Sequence, residues 1–366
     1  MKLKVLFYRV RGLIDGKFNM LIQKSISCLL GGALGDALGR PVERLRSDKM
    51  LEYYGKDGLR DLATVGLKAR ITDDTQMTIF TADGLIKSFL KRGVDKQGEI
   101  KPPNMEIVYD SYQDWYNTQT KKFSQCTPKG WISKIEDLYT PVGPGKTCLE
   151  SLKNGIPGSI EQPVNSSAGS GGVMRVAPAG IMYGKDPKTA FEVGAQCAAL
   201  THGGTGGYLP AGFHSAVIAN LMQDKSLQEA FNNSIEILKT YKGHETTLGL
   251  IEEAMKLAKT DIDPKVAIEK LGYGFKGDEA MAISAYCIFK SPNNLKEALI
   301  MAVNHSGDSD STGAITGNIL GAHLGLTDIP KCWIKSLELR KEITEIARDL
   351  ANPRKIKNAN IKYPIE

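Results

Sequence analysis

Residues 305–316 read HSGDSDSTGAIT, and in this run Asp308 and Asp310 stand either side of Ser309 in a turn-forming cluster that opens into small and apolar residues. Two carboxylates this close, with hydroxyls beside them, make an oxygen-rich donor set of the kind that hard cations such as Mg²⁺ and Mn²⁺ accept. Asp and Ser are also favoured helix N-caps, so the same run reads as the start of a helix over Ala314 and Ile315. A second cluster far upstream, Thr72-Asp73-Asp74-Thr75, precedes the apolar positions Met77, Ile79 and Phe80 and invites the same two readings. Two clusters in one chain, each with more acids than one cap uses, favour a shared cation site assembled by the fold.

The surrounding chain fits a globular body. Its 366 residues are 42% hydrophobic and 24% charged, enough for a sizeable core, and no apolar run is long enough to cross a bilayer. No membrane partner is expected. The formal net charge is +6, and Lys2, Lys4, Arg9, Arg11, Lys17 and Lys24 against Asp15 place +5 of it within the first 24 residues. The rest is close to neutral and has no zinc-finger, RNA-recognition or basic-helix pattern, which argues against a nucleic-acid partner. The six cysteines are widely spaced, without a close pair or zinc-site spacing, and no export signal is recognisable. They read as reduced thiols in a cytoplasmic protein.

Helical periodicity runs through most of the sequence. A helix is expected from near Ser25 through LLGGALGDALG, ended by Gly39 and Pro41, with Gly31, Gly35 and Gly39 at four-residue intervals on a face that another helix can approach closely. Further helices are expected at 75–90, 105–116, 187–200, 209–222, 227–238, 246–258, 264–270, 279–289, 295–303, 311–324 and 330–350. No convincing series of alternating strands accompanies them, which points to an all-α domain. The expected division is a basic N-terminal arm at 1–21, a body at 22–350 and a C-terminal tail at 351–366. The stretch from Cys126 to Ser159, rich in Pro, Gly and Thr, reads as surface loops that shape an entrance. Its GPGKT run fails the phosphate-loop pattern because Thr140 stands where the leading glycine should be.

Other motifs carry candidate chemistry. In AGSGGVMRVAPAG, Gly169, Gly171 and Gly172 can bring backbone N–H groups to an anion, with Arg175 either supporting the loop or contacting phosphate. His202 in LTHGG and His305 beside the aspartate run are candidates to orient a ligand. There is no HExxH, no GxSxG and no cysteine-protease signature, so water activated by metal is the most economical nucleophile.

Six blocks in this order resemble the ADP-ribosylglycohydrolase family, which includes ADP-ribosylarginine hydrolases and dinitrogenase reductase-activating glycohydrolase. They are GGALGDALGRPVE at 31–43, TDDTQM at 72–77, GSGGVMRVAP at 169–178, LTHGG at 200–204, LGYGFKGDEAMA at 271–282 and GDSDSTGAITGNILGAHLG at 307–325. The resemblance covers roughly residues 22–350 and implies a compact, orthogonal all-α helical bundle with a binuclear Mg²⁺ or Mn²⁺ centre. By resemblance, Thr72, Asp73, Asp74, Asp308, Asp310 and Ser311 match the metal ligands. Glu43 matches an acidic residue near the reacting ribose, and Asp36 serves chiefly as structural support. The resemblance places Gly169, Ser170, Gly171 and Gly172 around a diphosphate, with serine at 170 where many relatives have asparagine, and makes Tyr273 or Phe275 an adenine-stacking candidate.

The activity this implies is hydrolysis of an N-glycosidic bond, with water attacking the ribose anomeric carbon and Asp73, Asp74 or Glu43 positioning or deprotonating it. GDSDST is more like the arginine-directed relatives, so an ADP-ribosyl-arginine protein is the expected substrate, ahead of serine-linked, acetyl-linked or polymeric ADP-ribose. The alternative is a binding or immunity protein that neutralises an ADP-ribosyltransferase toxin through the N-terminal arm.

Overall fold

The computed structural model describes residues 2–365, with side chains from residue 19 onward except at 47. The chain is all-α, as its periodicity predicts. The elements are α1 (Lys2–Gly39), α2 (Ser47–Tyr54), α3 (Asp73–Arg92), α4 (Met105–Thr120), α5 (Lys146–Lys153), α6 (Ala177–Met182), α7 (Pro187–Ala199), α8 (Thr205–Met222), α9 (Leu227–Leu238), α10 (Glu245–Leu257), α11 (Pro264–Leu271), α12 (Gly277–Lys290), α13 (Leu295–Val303), α14 (Ser309–Leu324), α15 (Lys331–Ser336), α16 (Arg340–Ala351) and α17 (Ala359–Lys362). Among the described residues there is no strand, only isolated bridges such as Ala69 with Leu337 and Gly169 with Lys276. No described helix is long and apolar enough to cross a membrane.

The decisive contact is between α1 and α14. Gly31, Gly35 and Gly39 line one helix and Gly313, Gly317 and Gly321 the other, so each helix has a strip without side chains. The two run antiparallel with their backbones in contact. A Cβ at Gly31 would overlap the Gly317 carbonyl, one at Gly35 the Gly313 carbonyl, and one at Gly39 the Ser309 backbone. Such close approach compensates for the helix-weakening effect of glycine, which would otherwise cost about 1 kcal/mol at each site relative to alanine. Because the pair is antiparallel, the end of α1 lies beside the beginning of α14. The chain leaves α1 at a 3₁₀ turn over Arg40–Val42, with Pro41 at its start, and Glu43 follows directly.

The rest of the core surrounds this pair. Helix α8, buried over most of its length, packs against α6, α7, α9 and α12, and α3 packs against α4, α6 and α16. Asp36 of α1 is fully buried and accepts hydrogen bonds from the backbone N–H groups of Thr72 (3.1 Å) and Thr75 (3.1 Å), and from the Thr75 hydroxyl. Its carboxylate therefore fixes the first turn of α3 to α1.

At three places the structure adds to the expected elements. Helix α1 extends back to Lys2 through the stretch read as an arm, but the side chains there lie outside the described residues, and so does any docking by them. The helix expected over 330–350 is two, because residues 337–339 leave it to pair with the segment before α3. Glu338 donates its N–H to Ala69 (3.0 Å), accepts from Ile71 N (3.1 Å) and pairs with Arg70 (2.8 Å), while Leu339 adopts φ 51°. The last residues pack back on the body: Tyr363 is fully buried, its hydroxyl donates to Asp349 (2.7 Å), and its ring meets Trp131 edge-on at 6.2 Å.

A side chain wedged into the α1–α14 contact should be felt strongly. Gly35→Val is expected to cost at least ~1–3 kcal/mol in urea denaturation, the usual penalty for overpacking. Gly249→Ala, in α10 where nothing lies within 4 Å of the added methyl, should gain up to about 1 kcal/mol. Equal effects at the two positions would contradict the close-packing account.

Candidate functional site

Both aspartate clusters sit at helix N-termini, and neither uses its aspartates as caps. At α3 the cap is Thr72, whose Oγ1 accepts from Asp74 N at 3.2 Å. At α14 the N-cap position is Asp308, but its side chain makes no capping bond and instead accepts from the Ser170 hydroxyl at 2.5 Å. The simpler reading of the sequence, acids that merely start helices, is thereby removed.

The two clusters meet with Glu43. Ligand oxygens of Glu43, Asp308 and Asp310 lie within 4.8 Å of one another. Asp73 and Asp74 face the same group closely enough for their charges to interact with Asp308. Asp73, Asp74, Asp308 and Asp310 are each at most 7% exposed. Burial pushes the Asp73, Asp74 and Asp310 carboxyls well above the usual carboxylate range, and the neighbouring carboxylates push them further. Glu43 is raised first by burial and then by Asp308. The buried Asp36 beneath them is pushed up to about 6 by desolvation, against the hydrogen bonds it accepts.

The donor chemistry fits divalent cations. Asp74 Oδ1 is buried with no hydrogen-bond partner. A buried carboxylate oxygen left bare beside several other acids is costly unless a cation or a proton reaches it. The N-terminal ends of α3 and α14 converge on the cluster and offset part of the negative charge. Thr72 adds a hydroxyl beside Asp74, with its Oγ1 3.3 Å from Asp74 Oδ2, and Ser311 stands in the buried first turn of α14 next to Asp310.

The loops around the acids complete a cleft. Gly145 N donates to Asp73 Oδ2 (2.9 Å) and Asp73 N to Val142 O (3.1 Å), so the PVGPG loop rests on the first cluster. This contact is absent from the sequence reading, which took the stretch as an entrance loop and rejected it as a phosphate loop. On the other side, Asp308 N donates to Tyr273 O (2.8 Å) and Ser170 N to Phe275 O (3.1 Å), tying the LGYGF segment to both the aspartate run and the glycine loop. The Tyr273 and Phe275 rings remain exposed, at 59% and 42%. Arg44, also missed from sequence, pairs its Nε with Glu43 at 2.9 Å.

Three sequence candidates do not reach this cleft. Arg175 is fully buried, donating to Thr201 Oγ1 (2.7 Å) and Cys197 O (3.0 Å) with its guanidinium 4.4 Å from the Tyr112 ring centre. It supports the glycine loop from below and does not face an anion. His202 is buried beneath the same loop, where a Cβ at Gly171 would press on its ring at 2.9 Å, and its Nδ1 bonds the Thr201 hydroxyl at 2.8 Å. His305 bonds Thr312 Oγ1 at 2.9 Å through Nε2 and steadies the first turn of α14. Burial pulls His202 down to about 3 and His305 to about 4, so both are neutral supports. A separate cavity of about 460 Å³ lies at the far end of α3, where Lys87 is already paired with Asp83 at 2.7 Å.

The chain is 25% identical over 88% of its length to human (Homo sapiens) ADP-ribosylhydrolase ARH3, covering 91% of that protein. It is 24% identical to the ADP-ribosylarginine hydrolase Tri1 of Serratia proteamaculans, covering 90% of this chain and 79% of that one. An uncharacterized protein of Archaeoglobus fulgidus is 28% identical, over 90% of this chain and 96% of its own. A solved structure described as an ADP-ribosylglycohydrolase-related protein complex shares the fold, with a TM-score of 0.58 and 22% identity over 91% of this chain and 98% of that one. The family model for ADP-ribosylglycohydrolase matches residues 19–359, so the chain belongs to the ADP-ribosylglycohydrolase family, whose members hydrolyse glycosidic bonds of ADP-ribose.

Proposed function

We propose that this enzyme removes ADP-ribose from arginine side chains of modified proteins, by divalent-cation-dependent attack of water on the ribose anomeric carbon. The observation that carries the reading is the gathering of Glu43, Asp308 and Asp310 oxygens within 4.8 Å, none of them making a side-chain capping bond, together with a buried Asp74 oxygen that has no partner. The arginine preference is supported by the GDSDST run and by the name of the Serratia relative.

Thr72, Asp73, Asp74, Asp308, Asp310 and Ser311 would hold two Mg²⁺ or Mn²⁺ ions, and such a centre would supply Lewis-acid chemistry that makes an adjacent water easier to deprotonate. The Gly169–Gly172 loop lies along the diphosphate, with the Gly169 and Ser170 N–H groups already committed to Ser167 Oγ (3.3 Å) and Phe275 O (3.1 Å). Tyr273 and Phe275 offer exposed faces on which adenine stacks. The Glu43 carboxylate, partly exposed, can accept the attacking water's proton and face the positive charge that develops on the ribose. Asp73 and Asp74 share the task of orienting the water. Asp36 positions both by clamping Thr72 and Thr75.

Asp308→Asn should lower release of ADP-ribose from an arginine-modified protein by more than about a hundredfold, since even residues behind metal ligands cost 10–100-fold. Full turnover by a metal-loaded variant would remove Asp308 from the mechanism. Parallel assays on arginine-, serine- and acetyl-linked ADP-ribose should favour arginine, and a faster rate on either other linkage would reassign the substrate.

The raised carboxyls also set a pH dependence. A carboxyl whose folded-state pKa exceeds its unfolded value stabilises the fold at low pH and loses that contribution as pH rises through the folded value. Asp36, at about 6, and the more strongly raised Asp73, Asp74 and Asp310 therefore make the cation-free protein depend increasingly on a cation as pH rises. The increase in Tm on adding Mn²⁺ should be larger at pH 8 than at pH 5.5. Comparing each pH with and without Mn²⁺ cancels the buried histidines, and an increment independent of pH would contradict the assignment.

A further inference from the structure

Arg44 brings a feature that the hydrolysis above leaves unused. Its backbone is left-handed, φ 60°, a conformation disfavoured for any residue with a Cβ. It is held there by an N–H bond to Gly307 O at 2.9 Å, one residue before Asp308. Strained residues that persist in this way concentrate at ligand clamps. The effect is to hang a guanidinium over the cleft, with Nε 2.9 Å from Glu43 Oε1 and Cζ 5.8 Å from the centre of the Phe275 ring.

That guanidinium spans an interval which matters for the substrate. With the reacting ribose at Glu43 and the adenine on Phe275, the diphosphate joining them must cross the space that Arg44 bridges. The carboxylates crowded on one side of this space repel a diphosphate, so a cation at the rim relieves the conflict. A planar guanidinium also matches phosphate oxygens in paired hydrogen bonds. The Arg44 side chain is 73% exposed, and an exposed ion pair of this kind is weak enough to exchange readily.

We propose that Arg44 is a positioning and specificity residue for the nucleotide part of the substrate: its guanidinium passes from Glu43 to the diphosphate on binding and leaves the Glu43 carboxylate free to face the ribose. This rests on reading the cleft as an ADP-ribose site. Arg175, the arginine carried by the glycine loop itself, is buried and unable to serve.

The test is calorimetric titration of the full chain in Mg²⁺ with ADP-ribose and with adenosine, using wild type, Arg44→Ala, Arg44→Lys and Arg44→Gly. The alanine and glycine variants should bind ADP-ribose about tenfold more weakly, as expected for loss of a hydrogen bond to a charged group, with adenosine affinity unchanged. Lysine should recover part of the loss, and in turnover assays the alanine variant should raise KM more than it lowers kcat. Glycine removes the backbone strain, so a loss shared by alanine and glycine is due to the guanidinium. ADP-ribose affinity within twofold of wild type, or an equal loss for adenosine, would overturn the role of Arg44. Failure of the wild-type protein to bind ADP-ribose would instead overturn the reading of the cleft, and this proposal with it.

Discussion

Backbone contact between α1 and α14 is the constraint on which the site depends. Packing two helices through glycine strips brings their axes closer than side chains allow, and the antiparallel arrangement places the exit of α1 against the first turn of α14. Glu43 and Asp308 are thus brought together by packing that involves neither. Asp36, one turn before the end of α1, extends the same arrangement to α3. Three helix ends therefore converge through contacts made within the core.

This convergence produces an electrostatic conflict that is itself informative. Desolvated acids repel one another and are driven toward protonation. A fold selected for stability alone would fill the space with apolar groups, which often serve as well as or better than buried charges. Here the helix N-termini, the Gly145 N–H, the Ser170 hydroxyl and the Arg44 guanidinium each relieve part of the repulsion without neutralising it. What remains suits a divalent ion, whose affinity follows the loss of carboxyl protons.

Much of this was legible in the chain. The excess of acids over cap positions at 72–75 and 308–311 points to side chains that the fold gathers, and the four-residue glycine period in α1 marks one side of the helix contact. The same period at Gly313, Gly317 and Gly321 lay in plain view and supplies the other side. The break at 337–339 was less accessible, because no glycine or proline marks it: the helix yields there to bonds with Ala69 and Ile71, residues remote in sequence. Arg175 and the two histidines keep two readings in the sequence for a related reason. A polar residue beside a glycine loop looks the same in sequence whether it faces the ligand or holds the loop from beneath, and only burial separates the two. Arg44 escaped notice because its importance comes from a backbone angle and from a ring more than 200 residues away.

The central claim is that acids from α3, α14 and the exit of α1 form one cation site. An anomalous difference map from crystals grown with Mn²⁺ tests it most directly. Peaks coordinated jointly by Asp73 or Asp74 and by Asp308 or Asp310 are the predicted result, whereas no peak in the cleft, or ions held by one cluster alone, would contradict it.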